Sequence, residues 1–232
     1  MHETTDAMAV PWTQRDVGWG LAAFGVWLAG FVGFAFWIRA RAWQVDLGLL
    51  VSGGEALLVL PAWWLSVRKY GLGWSALGLR PFQAAALGMG CALMLGSFLF
   101  NFVYGLFLGL FHLQMQMDLT PVFAELSEPW LLLVGGAVVA PVAEEIFFRG
   151  FVFGGLRPRY GWRKAAVVSA ALFALLHLTP TAILPIFLLG LIFAYLYQMS
   201  GSLWPSILMH MLTNGIALGA AYLASQMNLP GF

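Results

Sequence analysis

The residues whose types and spacing could do chemistry begin with two adjacent acids in an apolar stretch. Glu144 and Glu145 are followed by Arg149, and the surrounding segment is apolar enough to cross a bilayer. A charge near the bilayer centre costs roughly 2.5 to 3.5 kcal/mol on insertion scales, so such residues generally pair or line a polar cavity. A spacing of four predicts an ion pair between Glu145 and Arg149 on one helix face. Glu144 points about 100° away and needs a partner from another helix.

Two later apolar segments supply candidate partners for Glu144. His177 ends one of them, and His210 and Asn214 lie four residues apart in the other, on one helix face. Together these side chains could polarise water, with Glu144 as the general base and His177 holding the same water molecule. His210 and the Asn214 amide would donate hydrogen bonds to the oxyanion that forms on a peptide carbonyl. This chemistry requires no covalent nucleophile.

The composition is that of a protein embedded in a membrane. Of its 232 residues, 61% are hydrophobic and only 9% are charged, and the mean hydropathy is +0.85. Soluble domains carry roughly 25% charged residues. The net charge of +1 argues against a nucleic-acid partner, which would require a concentrated basic patch. We therefore expect an all-α, polytopic helical bundle in a lipid bilayer.

Seven apolar runs predict about seven transmembrane helices, with an eighth conceivable near either end. The first run is longer than the apolar region of a signal peptide and ends in Arg39 without a small-residue cleavage site, so it is expected to span the membrane. Short turns join the last three runs, which predicts antiparallel neighbours. The runs cover residues 17–38, 45–67, 82–111, 130–153, 164–177, 181–198 and 203–225.

The arrangement of basic residues predicts the orientation of these helices. If the basic loop expected at residues 157–164 lies in the cytoplasm, Arg68, Lys69 and Arg80 lie there too. Arg39 and Arg41 then lie on the opposite side, against the rule that basic residues face the cytoplasm. Residues 1–16 are then a cytoplasmic tail, residues 17–129 form helices one to three, and residues 130–232 form a catalytic core of helices four to seven. The candidate site residues all come out near the middle of the membrane.

Two further features of the sequence concern helix geometry and a third acid. Pro141 predicts a kink one turn before Glu144, because proline removes a backbone hydrogen bond and clashes with the preceding turn. Glu55 follows Gly53 and Gly54 in the second apolar run. An acid in such a run indicates either a function or a structural pairing at a bend that water reaches. The sequence leaves both open and names no partner for Glu55.

Three motifs, each on its own predicted helix, carry a family resemblance. They are Glu144-Glu145-x-x-x-Arg149, Phe173-x-x-x-His177 and His210-x-x-x-Asn214. In this order they resemble the family of type II CAAX prenyl proteases and bacteriocin-processing (Abi) membrane proteins. The resemblance covers about residues 130–225, and no core motif position departs from the pattern. Leu77-Gly78-Leu79-Arg80 also resembles a short sequence of that family.

The resemblance implies an intramembrane glutamic endopeptidase that hydrolyses a peptide bond of a membrane-associated protein or (lipo)peptide. It implies the same site roles as the residues themselves: Glu144 as base, His177 as its partner at the water, and His210 with Asn214 as the oxyanion hole. Glu145 and Arg149 would be the supporting pair. The expected location is the bacterial inner membrane, and no cofactor is expected. The identity, cleavage position and prenylation of the substrate stay open, as does the oligomeric state.

Two alternatives use the same residues for other purposes. A zinc-dependent membrane protease could bind its metal through Glu144, His177 and His210, with Asn214 behind them, although the chain has no His-Glu-x-x-His pair. A proton-coupled transporter or a bacteriocin immunity protein could use the intramembrane acid and histidines without cleaving anything. The chain shows no internal repeat, which counts against a transporter built from inverted repeats.

Overall fold

The computed structural model describes residues 8–41, 43 and 45–227, and these residues form a bundle of helices without a strand. The first half contains α1 Gln14–Ala40, α2 Leu47–Ala56, α3 Val59–Ala62, a π-helical continuation π1 Trp63–Arg68, a 3-10 turn Trp74–Leu77, α4 Ala85–Gly109 and α5 Thr120–Glu125. The second half contains α6 Pro129–Val134, π2 Gly135–Val139, α7 Ala140–Glu144, π3 Glu145–Phe153, α8 Gly154–Leu176, a 3-10 turn Pro180–Ala182, α9 Ile183–Ser200 and α10 Trp204–Gln226.

Among the described residues, six helical stretches are long and apolar enough to cross a membrane. The longest, Pro129–Leu176, has 48 residues. Gly161 within it has a non-helical φ of 76° and ψ of 156°. This residue divides the stretch into two helical arms, so the bundle has about seven crossing segments, as the sequence predicted. The protein is an integral membrane protein.

The basic stretch at residues 157–164 differs from the loop that the sequence predicted. It is helical on both sides of Gly161, and Arg157 is buried instead of exposed. The Arg157 guanidinium donates hydrogen bonds to the Met8 carbonyl and, at 3.4 Å, to the Gln198 side chain. A single residue with positive φ is enough to reverse the chain, because glycine adopts that conformation at no steric cost. The basic residues around it therefore stay in helices.

Polar contacts join the start of α1 to the end of π1. Thr13 caps α1, with its N–H donating to Asp16 at 2.8 Å. Asp16 also accepts hydrogen bonds from Lys69 and, at 2.9 Å, from the Tyr70 hydroxyl. The hydrogen bond to Asp16 raises the pKa of the Lys69 ammonium above its ordinary value. These contacts place the N-terminus of the first span and the C-terminus of the second on the same side of the bundle.

The second span is broken immediately after Glu55. Pro61 has no N–H to donate to the Leu57 carbonyl, and its ring clashes with that carbonyl. Helix α2 therefore ends, and Leu57 and Leu58 donate hydrogen bonds to carbonyls three residues back before α3 begins. The irregular turn thus follows Glu55 and is explained by Pro61, whereas the sequence suggested a bend at the two glycines before Glu55.

The core of the bundle lies around π3, all nine residues of which are buried. Its phenylalanine rings pack against α1 and α8, and the Trp12 indole donates a hydrogen bond of 3.0 Å to the Phe151 carbonyl. Helix α9 approaches α8 closely because Gly190 faces Ala170, where a Cβ on Gly190 would lie 2.9 Å from the Ala170 Cβ. Small residues at such contacts let two membrane helices approach closely.

The Leu77–Arg80 sequence anchors the start of α10. Gly78 has a φ of 95°, and its carbonyl accepts a 2.8 Å hydrogen bond from the Leu203 N–H. The Ser202 hydroxyl donates to the Arg80 carbonyl at 2.6 Å. A side chain at Gly78 would also collide with the Tyr197 ring. The segment therefore requires glycine and holds the helix that carries His210.

Candidate active site

The acidic motif lies where the helix changes its winding. Glu144 ends the short α7, which lies between the π-helical segments π2 and π3. Pro141 in α7 cannot donate a backbone hydrogen bond, and the wider turn of π2 immediately precedes α7. Single π-turns within α-helices are frequent at functional sites. Glu144 and Glu145 point about 100° apart on the helix, so they reach different surroundings.

Glu145 forms the ion pair with Arg149 that the sequence predicted. Arg149 Nη1 lies 2.8 Å from Glu145 Oε1, and both side chains are 0% exposed. The Arg149 guanidinium carbon lies 4.2 Å from the ring centroid of Phe173 and 5.3 Å from that of Phe193. Its Nη2 donates to the Gly190 carbonyl at 3.4 Å. The ion pair is therefore dry and enclosed by two aromatic rings.

His210 bridges the two glutamates. Its Nδ1 lies 3.1 Å from Glu145 Oε1, and its Nε2 lies 3.4 Å from Glu144 Oε2. The imidazole ring stacks on Phe193 with a centroid distance of 4.9 Å and contacts the edge of Phe173. A histidine with a carboxyl group at each nitrogen can hold protons on both or on one of them. The structure thus brings His210 to Glu144, the partner that the acid required.

The charges in this cluster can balance only if a proton is shared. Glu145 and Arg149 cancel each other when both are ionised. Glu144 and His210 together carry no net charge in two states. Either Glu144 is protonated beside a neutral imidazole, or a Glu144 carboxylate lies beside a His210 imidazolium. Buried charges without a counter-charge are costly, so this pairing is the stable arrangement.

His177 lies at the end of α8, at a more exposed position than His210. Its Nδ1 lies 2.8 Å from the Phe173 carbonyl, which can only accept a hydrogen bond, so Nδ1 carries the proton. The imidazole edge rests against the Phe173 ring at a centroid distance of 4.7 Å. In the neutral ring, Nε2 is then an acceptor that faces away from the backbone. His177 is therefore oriented to accept a hydrogen bond from water.

Asn214 lies one turn after His210 on α10, as the spacing predicted. Its Nδ2 donates a 2.9 Å hydrogen bond to the Gly136 carbonyl in π2. An amide nitrogen carries two N–H groups, so the second can serve another acceptor. The hydrogen bond to Gly136 fixes the orientation of the amide. Asn214 is half-buried at the wall of a cavity.

Two cavities adjoin the cluster. The larger has a volume of about 620 Å³ and a mainly apolar lining, and its wall includes His177, His210 and Asn214. The smaller has a volume of about 210 Å³, and its wall includes Glu144, His177 and Glu55. Phe173 and His177 border both cavities. Glu144 is 14% exposed and Glu145 is fully buried, so Glu144 is the member of the acidic pair that a molecule in the smaller cavity can contact.

Metal binding was a possibility at these residues. Within residues 8–41, 43 and 45–227, no three His, Cys, Asp or Glu side chains are arranged so that they could hold a metal ion. Glu144, His177 and His210, the ligands that a zinc protease would use, are therefore not gathered around one point. His210 instead directs its nitrogens at two carboxyl groups.

Several residues of the site were not found from the sequence. Phe193 stacks on His210 and flanks Arg149, yet it lies in a uniformly apolar run in which core and lipid-facing residues look alike. Gly190 and Gly136 contribute carbonyl acceptors, which no side-chain pattern can reveal. Glu55 was recognised, but its neighbours come from three other helices and could not be named.

Comparison with known proteins concerns the half of the chain that contains this cluster. Residues 126–216 match the family model described as "Type II CAAX prenyl endopeptidase Rce1-like". The resemblance inferred from the three motifs is confirmed for this segment. All six candidate site residues of the sequence lie within it, whereas Glu55 lies outside.

A curated relative matches over a similarly limited region. The chain is 30% identical over 84 residues to the "Putative membrane peptidase YdiL" of Bacillus subtilis (strain 168). The alignment covers 36% of this chain and 34% of the relative, so the chain spans about a third of the length of the curated relative that it matches. No solved structure matches the chain.

Proposed function

We propose that the protein is an intramembrane endopeptidase in which Glu144 activates water to hydrolyse a peptide bond of a membrane-associated protein or (lipo)peptide. The observation that carries this proposal is the bridge of His210 between Glu144 and Glu145, at the wall of a large apolar cavity. The similarity of residues 126–216 to the type II CAAX prenyl endopeptidase family supports the same reaction class. The bacterial inner membrane is the proposed location.

The reactive form of the cluster has the shared proton on His210. Glu144 is then a carboxylate that can accept a proton from water, and His210 is an imidazolium whose Nδ1–H is held by Glu145. His210 Nε2 is 3.4 Å from Glu144 Oε2, a long contact that leaves its N–H able to donate to a substrate oxygen as well. Glu145 and Arg149 hold the imidazole in place and do not exchange protons.

Hydrolysis then proceeds without a covalent enzyme intermediate. Glu144 removes a proton from a water molecule that also donates to His177 Nε2, and the water oxygen bonds to the peptide carbonyl carbon. The resulting oxyanion accepts hydrogen bonds from the Asn214 amide and the His210 Nε2–H. When the carbon–nitrogen bond breaks, the leaving amine takes the proton from Glu144. The carboxylate is thereby restored.

The larger cavity is the proposed substrate site. Its volume of about 620 Å³ lies within the usual range of ligand pockets, roughly 300 to 1,000 Å³. Its apolar walls come from α8, α9 and α10 and suit apolar groups of a peptide or an attached lipid. His210 and Asn214 are the polar groups that would orient the scissile carbonyl.

The test is peptide cleavage by purified protein in detergent, with a chelator present. Wild type, Glu144→Gln and His210→Ala are incubated with a quenched peptide library, and the products are identified by mass spectrometry. Glu125→Gln is the matched control, because it makes the same change at an exposed position at the end of α5. We expect cleavage by wild type and the control, and none by the other two variants.

The other outcomes would contradict the proposal in distinct ways. Cleavage that is abolished by the chelator and restored by zinc would indicate a metalloprotease. Folded wild-type protein that cleaves neither the library nor lipidated peptides would favour a transporter or an immunity protein. Full activity of Glu144→Gln would show that the Glu144 carboxylate takes no part in the reaction.

A further inference from the structure

Glu55 shares a cavity with Glu144 although the two lie on different helices. The smaller cavity, of about 210 Å³, is lined by Glu55 and Leu58 of the second span, by rings from α1, and by Glu144 and His177. Three of its lining residues carry ionisable side chains, and the others are apolar or aromatic. A water molecule occupies about 30 Å³ in the liquid, so the cavity can hold several of them beside these polar groups.

Glu55 lies at this cavity next to an irregular turn in the second span. Because Pro61 interrupts the helix, α2 ends one residue after Glu55, and Leu58 turns into the same cavity wall. The half-buried Glu55 side chain thus lines a cavity inside the bundle together with Glu144 and His177. Acids within membrane segments are generally retained at ion, proton or water sites because their burial is costly.

Counting charges assigns the protonation of Glu55. Three carboxyl groups, those of Glu55, Glu144 and Glu145, lie in one region of the bundle, where Arg149 and His210 balance two of them. The His177 ring uses its Nδ1–H on the Phe173 carbonyl, and its neutral form accepts at Nε2. Among residues 8–41, 43 and 45–227, no Lys or Arg lines the smaller cavity, where it could balance a third negative charge. Two like carboxylates in an apolar site do not both ionise.

We propose that Glu55 is a positioning residue: it stays uncharged and donates a hydrogen bond to the hydrolytic water in the smaller cavity. This inference rests on the proposed function. The water then donates one hydrogen to Glu144 and the other to His177 Nε2, and one of its lone pairs accepts from the Glu55 hydroxyl. Its second lone pair is directed at the substrate carbonyl. Glu55 neither gains nor loses a proton during the reaction.

In this arrangement each of the two cavities holds one reactant. Peptide enters the larger cavity, beside His210 and Asn214, and water enters the smaller one, beside Glu55. Phe173 and His177 line both cavities, so the two cavities are neighbours. A bilayer supplies no water to an apolar site, so a hydrolase there needs a polar reservoir next to its base.

The test compares Glu55→Leu and Glu55→Gln in the cleavage assay. Glutamine is uncharged and still donates a hydrogen bond, so we expect its kcat within about threefold of wild type. Leucine cannot donate, and we expect a kcat about 10- to 100-fold lower with an unchanged KM. Glu125→Leu makes the same change at an exposed position and serves as the control. Replacing an intramembrane acid by leucine should not lower the thermal midpoint, which separates this loss from misfolding.

Three results would overturn the inference. Wild-type kcat in Glu55→Leu would show that the side chain is dispensable. A Glu55→Gln variant as inactive as Glu144→Gln would show that Glu55 must ionise. An infrared difference spectrum between wild type and Glu55→Gln that lacks a protonated-carboxyl band at pH 7 would contradict the uncharged state. The spectrum requires no turnover, so it tests Glu55 even if wild type cleaves no peptide, in which case the proposed function fails separately.

Discussion

Glu144 and Glu145 are adjacent in sequence, but the structure places them in two different environments. Glu145 is fully buried and contacts His210 and Arg149, whose guanidinium lies between the rings of Phe173 and Phe193. Glu144 borders the smaller cavity, is partly exposed there, and lies 3.4 Å from His210 Nε2. The neutralised acid is therefore suited to support, and the accessible one to proton transfer.

The difference shows that burial and pairing, rather than residue type, assign the roles of these acids. A carboxylate that is held in an ion pair and excluded from water cannot exchange a proton readily. A carboxylate at a polar cavity can do so, and its neighbour keeps His210 in the required orientation. If Glu144 transfers protons and Glu145 supports the cluster, some substitutions should lower activity and others stability.

The largest effect is expected from Glu144→Gln. The amide keeps the shape of the side chain but cannot accept a proton, so cleavage should fall by about 10³-fold, within the range for loss of a general base. The thermal midpoint should stay the same or rise, because a costly intramembrane charge is removed. Single-turnover cleavage and thermal unfolding in detergent measure the two quantities. If Glu144→Gln lost activity only because it unfolded, Glu144 and Glu145 would not have separate roles.

Arg149→Met should act on stability. Methionine fills the space between Phe173 and Phe193 but leaves the buried Glu145 without its cation, so we expect a loss of about 3 to 5 kcal/mol in the free energy of unfolding. The double variant Glu145→Gln/Arg149→Met removes both charges and should recover much of that loss. Denaturant titration in mixed micelles measures it. Equal stabilities of the single and double variants would mean that the pair is not coupled.

Asn214→Ala should lower the rate of cleavage without changing protonation. The loss of one oxyanion donor costs about 10²- to 10³-fold in kcat. The orientation of the amide comes from Gly136, so the helix should keep its place and the thermal midpoint should change little. Asn214→Asp is the matched variant, since it keeps the size but adds a charge that repels an oxyanion. Recovery of activity in the aspartate variant would contradict the oxyanion role.

The smallest effect is expected from Phe193→Leu. Leucine keeps the apolar volume in part but removes the ring that stacks on His210 and faces Arg149, which should cost about 1 to 2 kcal/mol of stability. Phe193 supports the cluster and does not contact the substrate in this proposal. The activity per folded molecule should therefore fall less in Phe193→Leu than in Asn214→Ala. Unfolding and cleavage measured on the same preparation decide this. An unchanged stability would show that the ring is not part of the support.

The sequence predicted the helices and the ion pair well because apolar runs and a spacing of four report directly on local geometry. The end of the fourth helix was misplaced because one glycine, Gly161, reverses the chain where a basic loop was expected. The partners of Glu55 and the contribution of Phe193 depend on how separate helices pack. No periodicity in a uniformly apolar chain encodes that packing.

The most direct test of the account is a side-by-side comparison of Glu144→Gln and Glu145→Gln for cleavage rate and thermal midpoint. We predict opposite profiles: Glu144→Gln is folded and inactive, whereas Glu145→Gln is destabilised, because Arg149 loses its counter-charge, and keeps measurable activity in the folded fraction. If both variants lose activity at an unchanged midpoint, or both lose stability, the two glutamates do not have separate roles and the account is wrong.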